Sequence, residues 1–183
     1  MHLVVKILLL TALLANFAEG LYTPVYAAYV EEVGGGVLDA GLSWSVNLIV
    51  SGVLAVVLSH AQVRSDKKLW YLVAGYLISA ISSILFAVAY TPGMLYAIQF
   101  IRGLSWAMIS PVWDSFFTLY VDRRRATVEW GYYEGGWSIA MGVGSAVGGI
   151  LLAVSSFHAL FFTSFLLNVL AAFVVFYYRR DLF

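Results

Sequence analysis

The sequence predicts an all-α membrane protein of six transmembrane helices, and three observations predict it. Hydrophobic residues make up 62% of the 183 positions and charged residues 11%, with a mean hydropathy of +0.90, whereas apolar residues make up about 45–50% of soluble domains. Charged residues and Gly/Pro punctuation cut the chain into six apolar stretches, each matching the roughly 20 residues a helix needs to cross the ~30 Å hydrocarbon layer. Finally, the cations Lys6, Arg64, Lys67, Lys68, Arg123, Arg124, Arg125, Arg179 and Arg180 all fall on one side if the chain threads the bilayer six times.

The spans are expected at 4–30, 40–60, 69–90, 94–121, 127–154 and 158–178, and together they make residues 1–183 a single transmembrane domain. Alternating β-barrel patterning is absent, and the stretches are two to three times longer than a barrel strand. The first stretch has a signal-peptide-like start, Lys6 followed by Ile7 to Ala15. However, Asn16-Phe17-Ala18-Glu19 lacks small residues at cleavage spacing and the apolar run continues to Val30, so it reads as a span. The loop between spans one and two carries Glu31, Glu32 and Asp39, and the loops near Thr91 to Gly93 and Ser155 to Phe157 carry no Lys or Arg. The positive-inside rule then sets both termini and the two basic loops in the cytoplasm, with the chain in the plasma (inner) membrane.

Six spans use roughly 120 positions and leave about 60 for connections, so no room remains for a soluble catalytic or ATP-binding domain. Ten Lys and Arg balance ten Asp and Glu, without the clustered basic face that nucleic-acid binding needs. The chain has no cysteine, which excludes disulfides, thiolate metal sites and cysteine nucleophiles. His2, His60 and His158 lie at span ends, so neither a metal centre nor another cofactor is expected. Gly136-Trp137-Ser138 has no base within a span to activate the serine, and the reading is that the chain is not an enzyme.

Ionisable groups inside a bilayer are costly, so they face the bundle interior and mark functional sites. Glu19, Arg102, Asp114 and Glu134 qualify. On an ideal helix Asn16, Glu19, Thr23 and Tyr26 share about 80° of arc, as do Gln99, Arg102, Trp106, Ser110 and Trp113. Asn16, Glu19, Thr23, Gln99, Arg102, Trp106 and Trp113 are therefore the candidate cavity residues. Glu19 and Arg102 differ in expected depth by roughly 5 Å, which leaves open whether they line a solute or proton pathway, form a structural ion pair, or never meet. Asp114 and Glu134 lie near the basic loop, and with Arg64, Arg125 and Glu129 they make a candidate cytoplasmic gate. Simple neutralisation of that loop, with Glu129 favoured by a helix N-terminus, explains the same residues. Ala140, Gly144 and Gly148, with Gly149 following, form a small-residue helix-packing stripe. Glu19-Gly20-Leu21 before Pro24 and Arg102-Gly103-Leu104 before Pro111 suggest a 3+3 inverted repeat; chance in an apolar alphabet is the alternative.

Six helices, cytoplasmic ends, basic loops after helices two and four and a Gly-rich helix five resemble one half of a major facilitator superfamily transporter. Ser59 to Lys68 keeps the basic residues of that family's loop signature, with Ser59, Val63 and Asp66 replacing its Gly, Asp and Gly. Gln99-Phe100-Ile101-Arg102-Gly103 is similar to its helix-four Arg-x-x-Gln-Gly with Arg and Gln exchanged. Gly144-Ser145-Ala146-Val147-Gly148-Gly149 is similar to its antiporter pattern, with Ser145 in place of proline. The resemblance implies a six-helix half that moves a small solute, with or without protons, by alternating access, as a homodimer or with a second half. A non-transporting scaffold or helper subunit and a truncated piece of a twelve-helix transporter are the competing readings.

Overall fold

The computed structural model describes residues 2–63, 65 and 68–179, all of whose regular structure is helical. The chain runs α1 (Leu3–Gly20), α2 (Tyr26–Glu32), α3 (Val37–Val63), α4 (Lys68–Ala87), α5 (Pro92–Tyr120), α6 (Ala126–Val154) and α7 (Phe157–Tyr177). Five segments, counting α1 and α2 as one, are long and apolar enough to cross a membrane. The sixth span, α5, is long enough at 29 residues but more polar, because it carries Gln99, Arg102 and Asp114.

The first span is broken. Pro24 opens a short 3-10 turn at Thr23–Val25, where its ring and missing N–H interrupt the helical ladder. Thr23 Oγ1 returns a hydrogen bond to the Glu19 carbonyl at 2.8 Å, so the break leaves that group satisfied within the bilayer. Past α2, the chain turns at Gly34, whose φ of +85° is a conformation that only glycine adopts cheaply. Gly35 N–H then caps the Val30 carbonyl at 2.9 Å. Asp39, at the start of α3, accepts from Gly36 N–H and Tyr96 O–H, both at 3.0 Å, and fastens that loop to α5.

α3 packs on α5 and α6 on α1, while α4 packs against both α5 and α7. The α1–α6 contact is made backbone to backbone. A Cβ on Gly20 would lie 2.6 Å from the Met141 carbonyl oxygen, one on Gly144 2.6 Å from that of Phe17, and one on Gly148 would overlap that of Leu21.

Along α1, α4, α5 and α7 the same order repeats. An apolar slab on the side of the two termini holds Val4, Leu8, Leu72, Trp113, Phe117 and Val175. A second slab on the opposite side holds Leu21, Tyr22, Tyr29, Phe86, Leu95 and Phe161. Between them lies a polar layer of Asn16, Glu19, Ser79, Ser82, Ser83, Gln99, Arg102, Ser105, Ser164 and Asn168, all buried. Hydroxyl pairs tie the layer across helices, Ser79 to Ser105 at 2.9 Å and Ser83 to Ser164 at 3.2 Å.

Candidate functional site

The polar layer is organised around one ion pair. Arg102 on α5 donates through Nη2 to Glu19 Oε2 on α1, with side-chain exposures of 1% and 11%. The other carboxylate oxygen accepts from Tyr22 O–H at 2.7 Å. The Arg102 guanidinium lies 4.9 Å from the centre of the Tyr22 ring and donates through Nη1 to Ser82 Oγ on α4 at 3.1 Å. Ser82 O–H donates to the Ser79 carbonyl at 2.7 Å, so its lone pairs face Arg102. Tyr22 stands three residues after Glu19, and that spacing brings its hydroxyl onto the carboxylate. Three helices thus hold one buried cation, and Ser82→Ala is expected to cost about 1 kcal/mol, read as a lower midpoint in thermal unfolding in detergent.

Beside this pair is a cavity of about 310 Å³ whose walls come from α1, α3, α5 and α6. Of the residues expected to line it, Asn16, Glu19, Thr23 and Trp106 do so. Gln99 and Arg102 stand behind the wall at 0% and 1% exposure. Gln99 Oε1 instead accepts from Asn47 Nδ2 at 2.8 Å. Trp113 is buried below, with its indole N–H on the Leu8 carbonyl at 3.1 Å, and it borders a smaller cavity of about 40 Å³ that also touches Asn16, Trp106, Ser110, Asp114 and Tyr133.

Sequence reasoning missed Trp44, Asn47, Leu48 and Ser51 of α3 and Trp137 and Met141 of α6, all of which line the larger cavity. The available signal was Ser43, Asn47 and Ser51 at four-residue spacing in an otherwise apolar stretch. It also missed Tyr22 and Ser82, the partners of the ion pair.

The candidate gate residues are not joined. Arg64 lies outside the described residues. Asp114 meets Ser110 Oγ at 3.5 Å, and buried Glu129 accepts from the Asp122 backbone N–H at 3.4 Å. Among the described residues, no ion pair involves Asp114, Arg125, Glu129 or Glu134. Of the small-residue stripe, Ala140, Gly144 and Gly148 are buried on α6, and the two glycines meet α1 directly. Gly149 faces open space, because one further residue rotates it by about 100°.

Comparison with known proteins agrees with this architecture. The sequence matches the model of the Major Facilitator Superfamily over residues 8–182. It is 22% identical over 178 residues to an uncharacterized MFS-type transporter of Methanocaldococcus jannaschii, a match covering 97% of this chain and 46% of that relative. Its fold is similar to that of the POT family transporter PepTSo, with a TM-score of 0.68 at 15% identity, over 97% of this chain and 37% of the solved one. The chain thus spans less than half the length of either. A bundle of apolar helices around a buried polar layer, matched by a family profile over nearly its whole length, makes the chain a multi-pass membrane protein that belongs to the Major Facilitator Superfamily.

Proposed function

We propose that this chain is one half of a secondary transporter, moving a small solute by alternating access around the 310 Å³ cavity. The observation that carries the reading is the Glu19–Arg102 pair at the cavity wall. Its carboxylate is reachable from the cavity, and a membrane carboxylate beside a guanidinium can alternate between paired and protonated states. The one-sided cations favour cytoplasmic termini. Asp114, Arg125, Glu129 and Glu134, with Arg64, would then form the gate on that side. A 3+3 inverted repeat is favoured by the two matching phrases: Gly20 receives the α6 backbone at Met141, and Gly103 receives the α3 backbone at Asn47.

The second half is supplied in this reading by a second copy or by a separate six-helix partner. On both outer helices the exposed surface is divided. Ile49, Val53 and Val56 on α3, and Ile139, Val143 and Ile150 on α6, present bulk suited to lipid. Gly41, Ser45 and Gly52 on α3, and Gly131, Gly135, Ser138, Gly142 and Gly149 on α6, are exposed and small. A Cβ on any of these glycines would meet nothing. Small stripes let helices approach closely, whereas lipid has no use for them. Gly52 and Ser138 both lie near the middle of their helices, so α3 set against α6 of a second copy would bring them to a similar depth. Because the chain has no cysteine, a Gly52→Cys/Ser138→Cys variant is expected to cross-link into a dimer under mild oxidation on a denaturing gel; a persistent monomer would favour the separate partner.

Uptake of a labelled solute panel into proteoliposomes tests the transport reading. Glu19→Gln should lower any flux at least tenfold. Unchanged flux in that variant would remove Glu19 from the pathway.

A further inference from the structure

Resting on the transporter reading of this cavity, we propose that its solute is an organic cation, an aromatic or alkyl amine, held by the Glu19 carboxylate among Trp44, Trp106 and Trp137. The first argument is charge at the wall. Among the described residues, the 310 Å³ cavity and the 40 Å³ cavity beneath it are lined by two carboxylates, Glu19 and Asp114, and by no Lys, Arg or His. Arg102 compensates Glu19 from behind, at 1% exposure, and contributes nothing to either lining. A solute entering the cavity therefore meets the acidic member of the pair and not the basic one.

The second argument is the direction of the hydrogen bonds. Glu19 uses one lone pair of Oε1 for Tyr22 and one of Oε2 for Arg102; a carboxylate offers about four such positions, which leaves acceptor capacity toward the cavity. Three of the wall's polar side chains spend a donor on the protein itself. Asn16 Nδ2 donates to the Ala12 carbonyl at 2.8 Å, Thr23 Oγ1 to the Glu19 carbonyl at 2.8 Å, and Asn47 Nδ2 to Gln99 Oε1 at 2.8 Å. An ammonium group can donate into the open acceptor positions of Glu19, while a carboxylate or phosphate solute would bring a second negative charge to them.

The third argument is the aromatic lining. Three indoles border the cavity, and the face of an indole ring is the strongest cation-binding surface among aromatic side chains. An anion meets the face of an aromatic ring unfavourably. The smaller cavity continues the pattern, because it shares Asn16, Trp106 and Ser110 with the larger one and ends at Asp114 and Tyr133.

The test is calorimetric titration of the full chain in lipid nanodiscs with three probes that share a phenyl ring and a short alkyl arm: 2-phenylethylamine, 2-phenylethanol and 3-phenylpropanoate. The amine is expected to bind about tenfold more tightly than the alcohol, with the anion weakest. Trp137→Ala, at a side chain 43% exposed, should weaken the amine more than the alcohol. The neutral pair Glu19→Gln/Arg102→Gln should lose most of the preference for the amine over the alcohol. Absence of amine binding to the folded wild type, or equal or tighter binding of the alcohol or anion, overturns the proposal. Uptake of the same probes into proteoliposomes separates the two readings. Amine-selective binding without uptake supports the ligand class and sinks the transport reading, while uptake of the anion in preference to the amine sinks the ligand class alone.

Discussion

Arg102→Ala is expected to be the most damaging single substitution, lowering stability by about 3–5 kcal/mol and the thermal midpoint in detergent by roughly 10 °C. The truncated side chain strands three groups at once. Glu19 keeps a buried carboxylate with only Tyr22 to hold it, the Ser82 hydroxyl loses the donor that faces it, and the Tyr22 ring loses the cation above it. Glu19→Gln is milder in shape yet still leaves a guanidinium at 1% exposure without its counter-charge. The decisive comparison is Glu19→Gln/Arg102→Gln, which buries no net charge and retains amide hydrogen bonds. It should recover most of the loss. If the double variant unfolds as easily as Arg102→Ala, the ion pair is not what binds α1 to α5 and α4.

Gly148→Leu comes second, because no side-chain adjustment can accommodate it. A Cβ at that position already overlaps the Leu21 carbonyl, so a larger group must push α6 away from α1, with a cost of about 3 kcal/mol or more and a matching drop in folded yield. Gly142→Leu is its internal control. Nothing lies near that Cβ, so the isolated bundle should melt as the wild type does. If α6 docks on a second copy through its open stripe, Gly142→Leu should abolish the dimer in native mass spectrometry while leaving the melting curve in place. Loss of folding in both variants would show that the two faces of α6 do the same job.

The contrast between those two glycines also shows where sequence reasoning stops. Hydropathy and the charged loops make an all-helical membrane bundle legible, because each span is a local property of about 20 residues. The break in the first span was not foreseen: an apolar run continues through Pro24, and apolar character says nothing about a missing N–H. Glu19 and Arg102 stood out as ionisable groups within spans, but whether they meet depends on how α1 and α5 sit against α4, which residues far apart in the chain decide. Screening spans for charges likewise passes over α3, whose Trp44, Asn47 and Ser51 carry no charge and still form a cavity wall. The small residues of α6 signalled close packing without saying which of its faces would be used, and the structure places Gly144 and Gly148 on one face and Gly149 on another.

The placement of the polar layer sets a constraint on biogenesis. A helix bearing Gln99, Arg102 and Asp114 gains little by partitioning alone from the insertion machinery into lipid, since each such residue within the span opposes entry. Its greasy predecessors α1 and α4 can wait in the bilayer holding Glu19 and Ser82 ready, so α5 must leave the translocon as a client of helices already made. On that expectation a chain lacking α1, and with it the Glu19 partner of Arg102, should leave α5 poorly inserted, read as greater labelling of α5 by a water-soluble reagent.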